Sequence, residues 1–116
     1  MKINELREDL LYEMANLTKS ITGIEPVVFC SPQGNASHAC RVKVSNSLGK
    51  VTANDLFSVD LKDLEVIGEC KLSHDNLEAV KWWIFKNRFV ILDYWKSRID
   101  TREFMNTVHS IGEQNE

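Results

Sequence analysis

Residues 73–104 are too apolar to form one helix with a wet side, and this limits the folds open to the 116-residue chain more than any other stretch. Wound at 100° per residue, Leu77, Val80, Trp83, Ile84 and Ile91 fall on one broad face, while Trp82, Phe85 and Phe89 project from the other. Such a helix must be sandwiched or must break. Asn87 offers the break, which predicts one helix from the N-cap Ser73 through about Phe85 and a second from about Arg88 to Arg98. Asp100-Thr101-Arg102-Glu103 has the form of a capping box with Asp in the Ser/Thr place, so a last helix should follow and align Phe104, Val108 and Ile111. Seven of the ten aromatic residues lie within 82–104, and most are expected in the core, because a sheet elsewhere in the chain needs a cover. Trp82, off the main face, is either part of that cover or an exposed anchor for a partner.

Upstream the period changes. Ile3, Leu6, Leu10, Met14, Leu17 and Ile21 recur at three and four, which predicts an amphipathic N-terminal helix over residues 1–22, closed by Gly23. Residues 26–69 read as sheet. Val27 to Cys30 follow Pro26 as an extended segment, and a run of turn formers, Ser31 to Ser37, leads into the next strand. There Cys40, Val42 and Val44 alternate with Arg41, Lys43 and Ser45, the period-two pleat of a half-buried strand. Phe57, Val59 and Leu61 alternate with Ser58, Asp60 and Lys62 in the same way, and residues 64–68 extend that strand or add a fourth. The expectation is a single α+β domain: an N-terminal helix, an antiparallel meander of three or four strands, and a helical layer over 73–111 packed on one sheet face.

No apolar run approaches the ~20 residues of a membrane span, and the N-terminus lacks the apolar block of a secretory signal. Cys30, Cys40 and Cys70 are odd in number with no close pair, which suits free thiols in a reducing compartment and a cytoplasmic location. A net charge of −3 argues against general nucleic-acid coating, yet the charges are segregated. Residues 30–50 carry Arg41, Lys43 and Lys50 and no acid, residues 51–80 hold seven acids against two bases, and residues 81–104 hold six bases against three acids. If the first and third segments meet, an acidic protein carries one basic face.

Four soft ligands exist on paper in Cys70, His74, Cys30 and either His38 or Cys40, but no tight Cys-x-x-Cys knuckle joins them, so no metal is expected. A nucleophile elbow is absent, and the five glycines are scattered singly, so no phosphate-cradling loop forms and no cofactor is implied. What remains is the cluster His38, Arg41 and Lys43. Two cations two positions apart on a strand point the same way, roughly 7 Å from each other. They suit a phosphate or carboxylate, and with a histidine to move a proton they are the residue types of a metal-independent ribonuclease.

The stretch His38-Ala39-Cys40-Arg41-Val42-Lys43-Val44-Ser45-Asn46 resembles a small uncharacterised domain of phages and bacterial mobile elements, whose relevant variant reads His-Gly-Pro-Arg-Ile-Lys-Val-Ser-Asn. Further likeness lies in Cys70-Lys71-Leu72-Ser73, the Val80 to Ile84 segment, Asn87, Leu92 to Trp95, and Ile99 to Phe104, so that it spans residues 27–108. Ala39-Cys40 replaces Gly-Pro, which removes a preset turn before the strand. The resemblance implies a toxin–antitoxin or host-takeover setting beside an antitoxin-like partner, and carries His38, Arg41, Lys43 and Asn46 as its site positions.

The favoured reading is a non-enzymatic binding protein, an inhibitor of a host defence or nucleic-acid-processing protein, that engages a host or cognate partner through Arg41, Lys43, Asn46, Trp82 and Arg88. An acidic strip of Asp55, Asp60, Asp63, Glu65 and Glu69 offers a second surface for a basic partner. The alternative is the ribonuclease built on His38, Arg41 and Lys43. A homodimer through residues 3–21, whose stripe is wide enough to pair with its copy, is a further expectation.

Overall fold

The structure, a computed structural model, describes residues 14–48 and 54–112. In chain order these form β1 (Ala15–Leu17), α1 (Lys19–Thr22), β2 (Val28–Cys30), β3 (Arg41–Ser45), β4 (Leu56–Asp60), β5 (Val66–Ile67), α2 (His74–Lys86), α3 (Arg88–Trp95) and α4 (Thr101–Thr107). The class is α+β. Each strand pairs antiparallel with its neighbours in sequence, in the spatial order β1-β2-β3-β4-β5.

Register sorts the strand residues onto two faces. Leu17, Val28, Val44 and Phe57 lie opposite one another in a row across four strands, and all are buried. Val42 opposite Val59 repeats the pattern. Onto this face pack Val80, Trp83 and Ile84 of α2, Ile91 and Tyr94 of α3, and Phe104 of α4, in one continuous core. The row on the other face runs Asn16, Phe29, Lys43, Ser58 and Ile67.

The helical layer breaks at Asn87, as the doubled apolar faces require. Ser73 caps α2 by accepting from the Asn76 N–H at 3.2 Å, and Asp100 caps α4 by accepting from Glu103 N–H at 2.8 Å. Asn87 is buried at the break, and its amide works in both directions. Nδ2 donates to the carbonyls of Trp83 and His109, each at 3.0 Å, while Oδ1 accepts from His109 N–H at 2.8 Å. Trp83 Nε1 donates to the same His109 carbonyl at 3.0 Å. The chain after α4 is thereby fastened beneath the α2–α3 junction. Asn87→Ala deletes these bonds in a dry site and should lower stability by about 2–4 kcal/mol, read as a shift of the urea midpoint at constant slope. A change below about 1 kcal/mol would show that the clamp matters little.

Two expectations need correction. The N-terminal helix does not run through residue 21: Ala15–Leu17 is an edge strand paired with β2, and only Lys19–Thr22 is helical. Backbone pairing to β2 outweighs a helical period that Met14, Leu17 and Ile21 happened to continue. The proposed dimer stripe therefore loses its second half, and its first half, residues 3–13, lies outside the described residues. With β1 added, the meander has five strands among the described residues. The last helix also stops early, at Thr107. Val108 is extended, and Ile111 N–H then donates to the Thr22 carbonyl at 2.7 Å. Gly23 accommodates this return: its φ is 79°, and a Cβ there would meet the Ile111 side chain at 3.0 Å.

Candidate anion-binding site

β3 projects Arg41 and Lys43 from the face opposite the core, and both line a cavity of about 670 Å³ with His38, Ser58 and Trp95. Its remaining wall comes from Met14 and the loop 31–36. This loop is held by backbone bonds. Gln33 N–H donates to the Trp95 carbonyl at the end of α3 (2.8 Å), and Ala36 N–H closes a turn on the Gln33 carbonyl (2.9 Å). Gly34 takes the left-handed conformation that the turn needs, with φ 54°. The His38 and Trp95 rings sit 5.5 Å apart, and His38 Nδ1 is 2.7 Å from the Ala39 carbonyl. Since a carbonyl can only accept, Nδ1 carries the proton in this bond, and in the neutral ring Nε2 is then the acceptor.

Among the described residues that line this cavity there is no Asp or Glu. Asp60 stands directly opposite Arg41 in the β3–β4 register, yet its carboxylate turns away to accept from Lys62 N–H (2.8 Å) and Asp63 N–H (3.4 Å) in the β4–β5 turn. Among the described residues neither Arg41 nor Lys43 forms an ion pair. The Arg41 Nε–H is buried without an acceptor. A buried donor on a charged group costs more unsatisfied than a neutral one, so this arrangement carries a standing energetic cost.

The other sequence candidates lie elsewhere. Asn46 is engaged in an internal knot: Nδ2 donates to Asp55 Oδ1 (3.3 Å) and the Glu69 carbonyl (2.9 Å), and Oδ1 accepts from Lys71 N–H (2.6 Å). The Lys71 ammonium beside it holds the Asp55 carboxyl below the usual carboxylate range, and Asp55 raises Lys71 in turn. Of the acidic strip, Asp55 is thus paired, and Asp60 and Asp63 accept from backbone in the β4–β5 turn. Arg88 lines a second concavity of about 420 Å³ with Ala39, Cys40, Leu61, Phe89 and Leu92, among others. Its guanidinium carbon lies 4.3 Å from the Phe85 ring centroid and 4.7 Å from that of Phe89. Trp82 stands further back on α2. The segments 30–50 and 81–104 therefore contribute to two neighbouring concavities divided by residues 39–40, and Lys50 lies outside the described residues.

Sequence reasoning missed the wall residues Gln33, Ser58 and Trp95. Ser58 was readable, since it alternates with the core positions Phe57 and Val59. Trp95 belongs to the core, as most of the aromatics of 82–104 are expected to, and its ring also lies against His38. Among the described residues no group of three or more His, Cys, Asp or Glu side chains is placed to hold a metal, and no helix is long and apolar enough to cross a membrane. Comparison with protein-family models, with curated proteins and with solved structures gave no match.

Proposed function

We propose that this chain is a non-enzymatic binding protein that seats an anionic group of its partner, a phosphoryl or carboxylate, between Arg41 and Lys43. The observation that carries the reading is that Arg41 and Lys43 line one cavity together, with no carboxylate among its described lining residues and no ion pair to either cation among the described residues. In the phage or mobile-element setting that the resemblance implies, the role is that of an inhibitor acting on a host or cognate component of nucleic-acid processing. The three free thiols suit the reducing cytoplasm. The ribonuclease alternative draws on the same residues, with His38 Nε2 available to accept a proton. It also needs a second proton-handling group, and His38 is the only histidine lining the cavity.

Titration of inorganic phosphate into isotope-labelled protein tests the reading. Amide shifts should concentrate on residues 31–43 and Ser58. Removing both charges in Arg41→Ala/Lys43→Ala should weaken the apparent affinity by at least about tenfold, as expected for charge-assisted hydrogen bonds. Shifts scattered over the surface, or an unchanged titration in the double variant, would overturn it.

A further inference from the structure

The outer side of the helical layer carries an arrangement that neither the core nor the basic cavity explains. Trp82, Phe85 and Phe89 are 55, 45 and 72% exposed and follow one another along one side of α2 and the start of α3. Their flat faces are ordered. Trp82 and Phe85 lie nearly parallel, 18° apart in plane with centroids at 5.8 Å, and the Arg88 guanidinium lies against both Phe85 and Phe89. Four π-systems thus form a row. Burial would serve a core, but these rings stay in water at a cost in apolar exposure.

The row ends at a concavity on the helix side of the sheet, and consecutive residues of the chain line it and the basic cavity on the other face. Phe89 and Arg88 line the 420 Å³ hollow together with Ala39 and Cys40, while His38 and Arg41, on either side of those two residues, line the 670 Å³ one. A ligand long enough to reach across residues 39–40 meets cations on one side and stacking faces on the other. Single-stranded nucleic acid has this chemistry at regular spacing: a phosphate in every repeat and a flat base beside it. Duplex hides its bases inside the stack and could use only the cations.

We propose that the aromatic row and the basic cavity together form a binding track for single-stranded nucleic acid, with a phosphate held by Arg41 and Lys43 and bases stacked on Phe89 and Trp82. The phosphate half rests on the anion-binding reading above; the stacking half is independent of it. Positive charge along the row favours this occupant, since Arg88 lies within it, Lys81 precedes Trp82, and Lys62 lines the hollow at its end beside Asp60, whose carboxylate accepts from backbone N–H groups of the β4–β5 turn. Arg88 also adds cation–π attraction to a base stacked near its guanidinium.

Fluorescence anisotropy with a labelled oligouridylate of about ten nucleotides tests the track. The wild-type chain should bind, with the association constant falling as salt rises. Phe89→Ala and Trp82→Ala, both at exposed positions and with folding checked by circular dichroism, should each weaken binding by about 5- to 100-fold without changing the salt slope. Arg41→Ala/Lys43→Ala should weaken it and flatten that slope. A duplex of the same length should bind far more weakly than the single strand.

No binding of the oligonucleotide at low salt overturns the proposal, and the cavity reading then stands or falls on the phosphate titration alone. Binding lost in the Arg41/Lys43 variant but unchanged in Phe89→Ala overturns the stacking half and leaves the cavity reading intact. A dimer in sedimentation that Phe89→Ala dissolves, with no nucleic-acid binding, would mean that the row meets a second copy, and overturns the proposal too. Cleavage of the oligouridylate that His38→Ala abolishes would turn the non-enzymatic reading into the ribonuclease one while supporting the track.

Discussion

Trp83→Ala should destabilise the protein by about 4 kcal/mol, whereas Trp82→Ala, one residue away, should cost no more than about 1 kcal/mol. The two indoles have opposite surroundings. Trp83 is fully buried between the sheet and the other helices, and its Nε1 donates to the His109 carbonyl. Truncation leaves a cavity that the backbone can only partly close, and it removes one fastening of the chain after α4. Trp82 is more exposed than buried and loses only its stacking on Phe85. Urea unfolding of both variants gives the comparison. Equal losses would mean that the α2 face has been read with the wrong rotation, and the aromatic track would fall with it.

A second large effect should appear in alkali. Cys30 and Cys40 are buried thiols, and burial raises both above the ordinary value of 9.0, Cys40 to about 12. Nearby negative charge adds a smaller part: Asp60 adds to the shift at Cys40, and Cys40 adds to that at Cys30. The folded chain therefore holds these protons more tightly than the unfolded one. Stability from this source is complete well below pH 9 and declines as pH rises past that value, at up to roughly 1.4 kcal/mol per unit and thiol. One and a half units into that range the two together remove roughly 4 kcal/mol, a large part of the 5–15 kcal/mol that holds a domain of ordinary stability. Unfolding free energies at pH 8 and pH 10.5 should differ accordingly, and Cys30→Ala/Cys40→Ala should flatten the difference. A double variant as alkali-sensitive as the wild type would assign the loss to other groups. The same protonation makes both thiols poor nucleophiles at neutral pH.

The parts of the fold that were readable are those set by neighbours in sequence. The break at Asn87, the caps Ser73 and Asp100, and the alternation of β3 and β4 each follow from local spacing and capping chemistry, and each is found, except that Ser45, expected on the wet side of β3, is buried. What escaped depends on distant partners. Ala15, Asn16 and Leu17 became a strand because β2 supplies hydrogen-bond partners that no local period reports. Val108 left the helix because Asn87, Trp83 and Thr22 bind the backbone of residues 109 and 111.

The site divides in the same way. Arg41 and Lys43 could be put on one face from spacing alone, and they share a cavity wall. That Asp60 would leave Arg41 unpaired could not be foreseen, because it turns on hydrogen bonds inside the β4–β5 turn. Asn46 shows the converse. The resemblance implied a binding role for it, and its amide is taken up in tying the end of β3 to residues 55, 69 and 71.

The strictly sequential order of the strands has a bearing on how the chain meets the cell during synthesis. All five strands have left the ribosome once Ile67 emerges, and every pairing partner is then present. The helices that shield the valine side of that sheet arrive only with the next roughly forty residues, a delay of a few seconds at ordinary translation speeds. For that interval the nascent polypeptide would display a greasy half-finished slab, which makes it a natural client for a ribosome-associated chaperone.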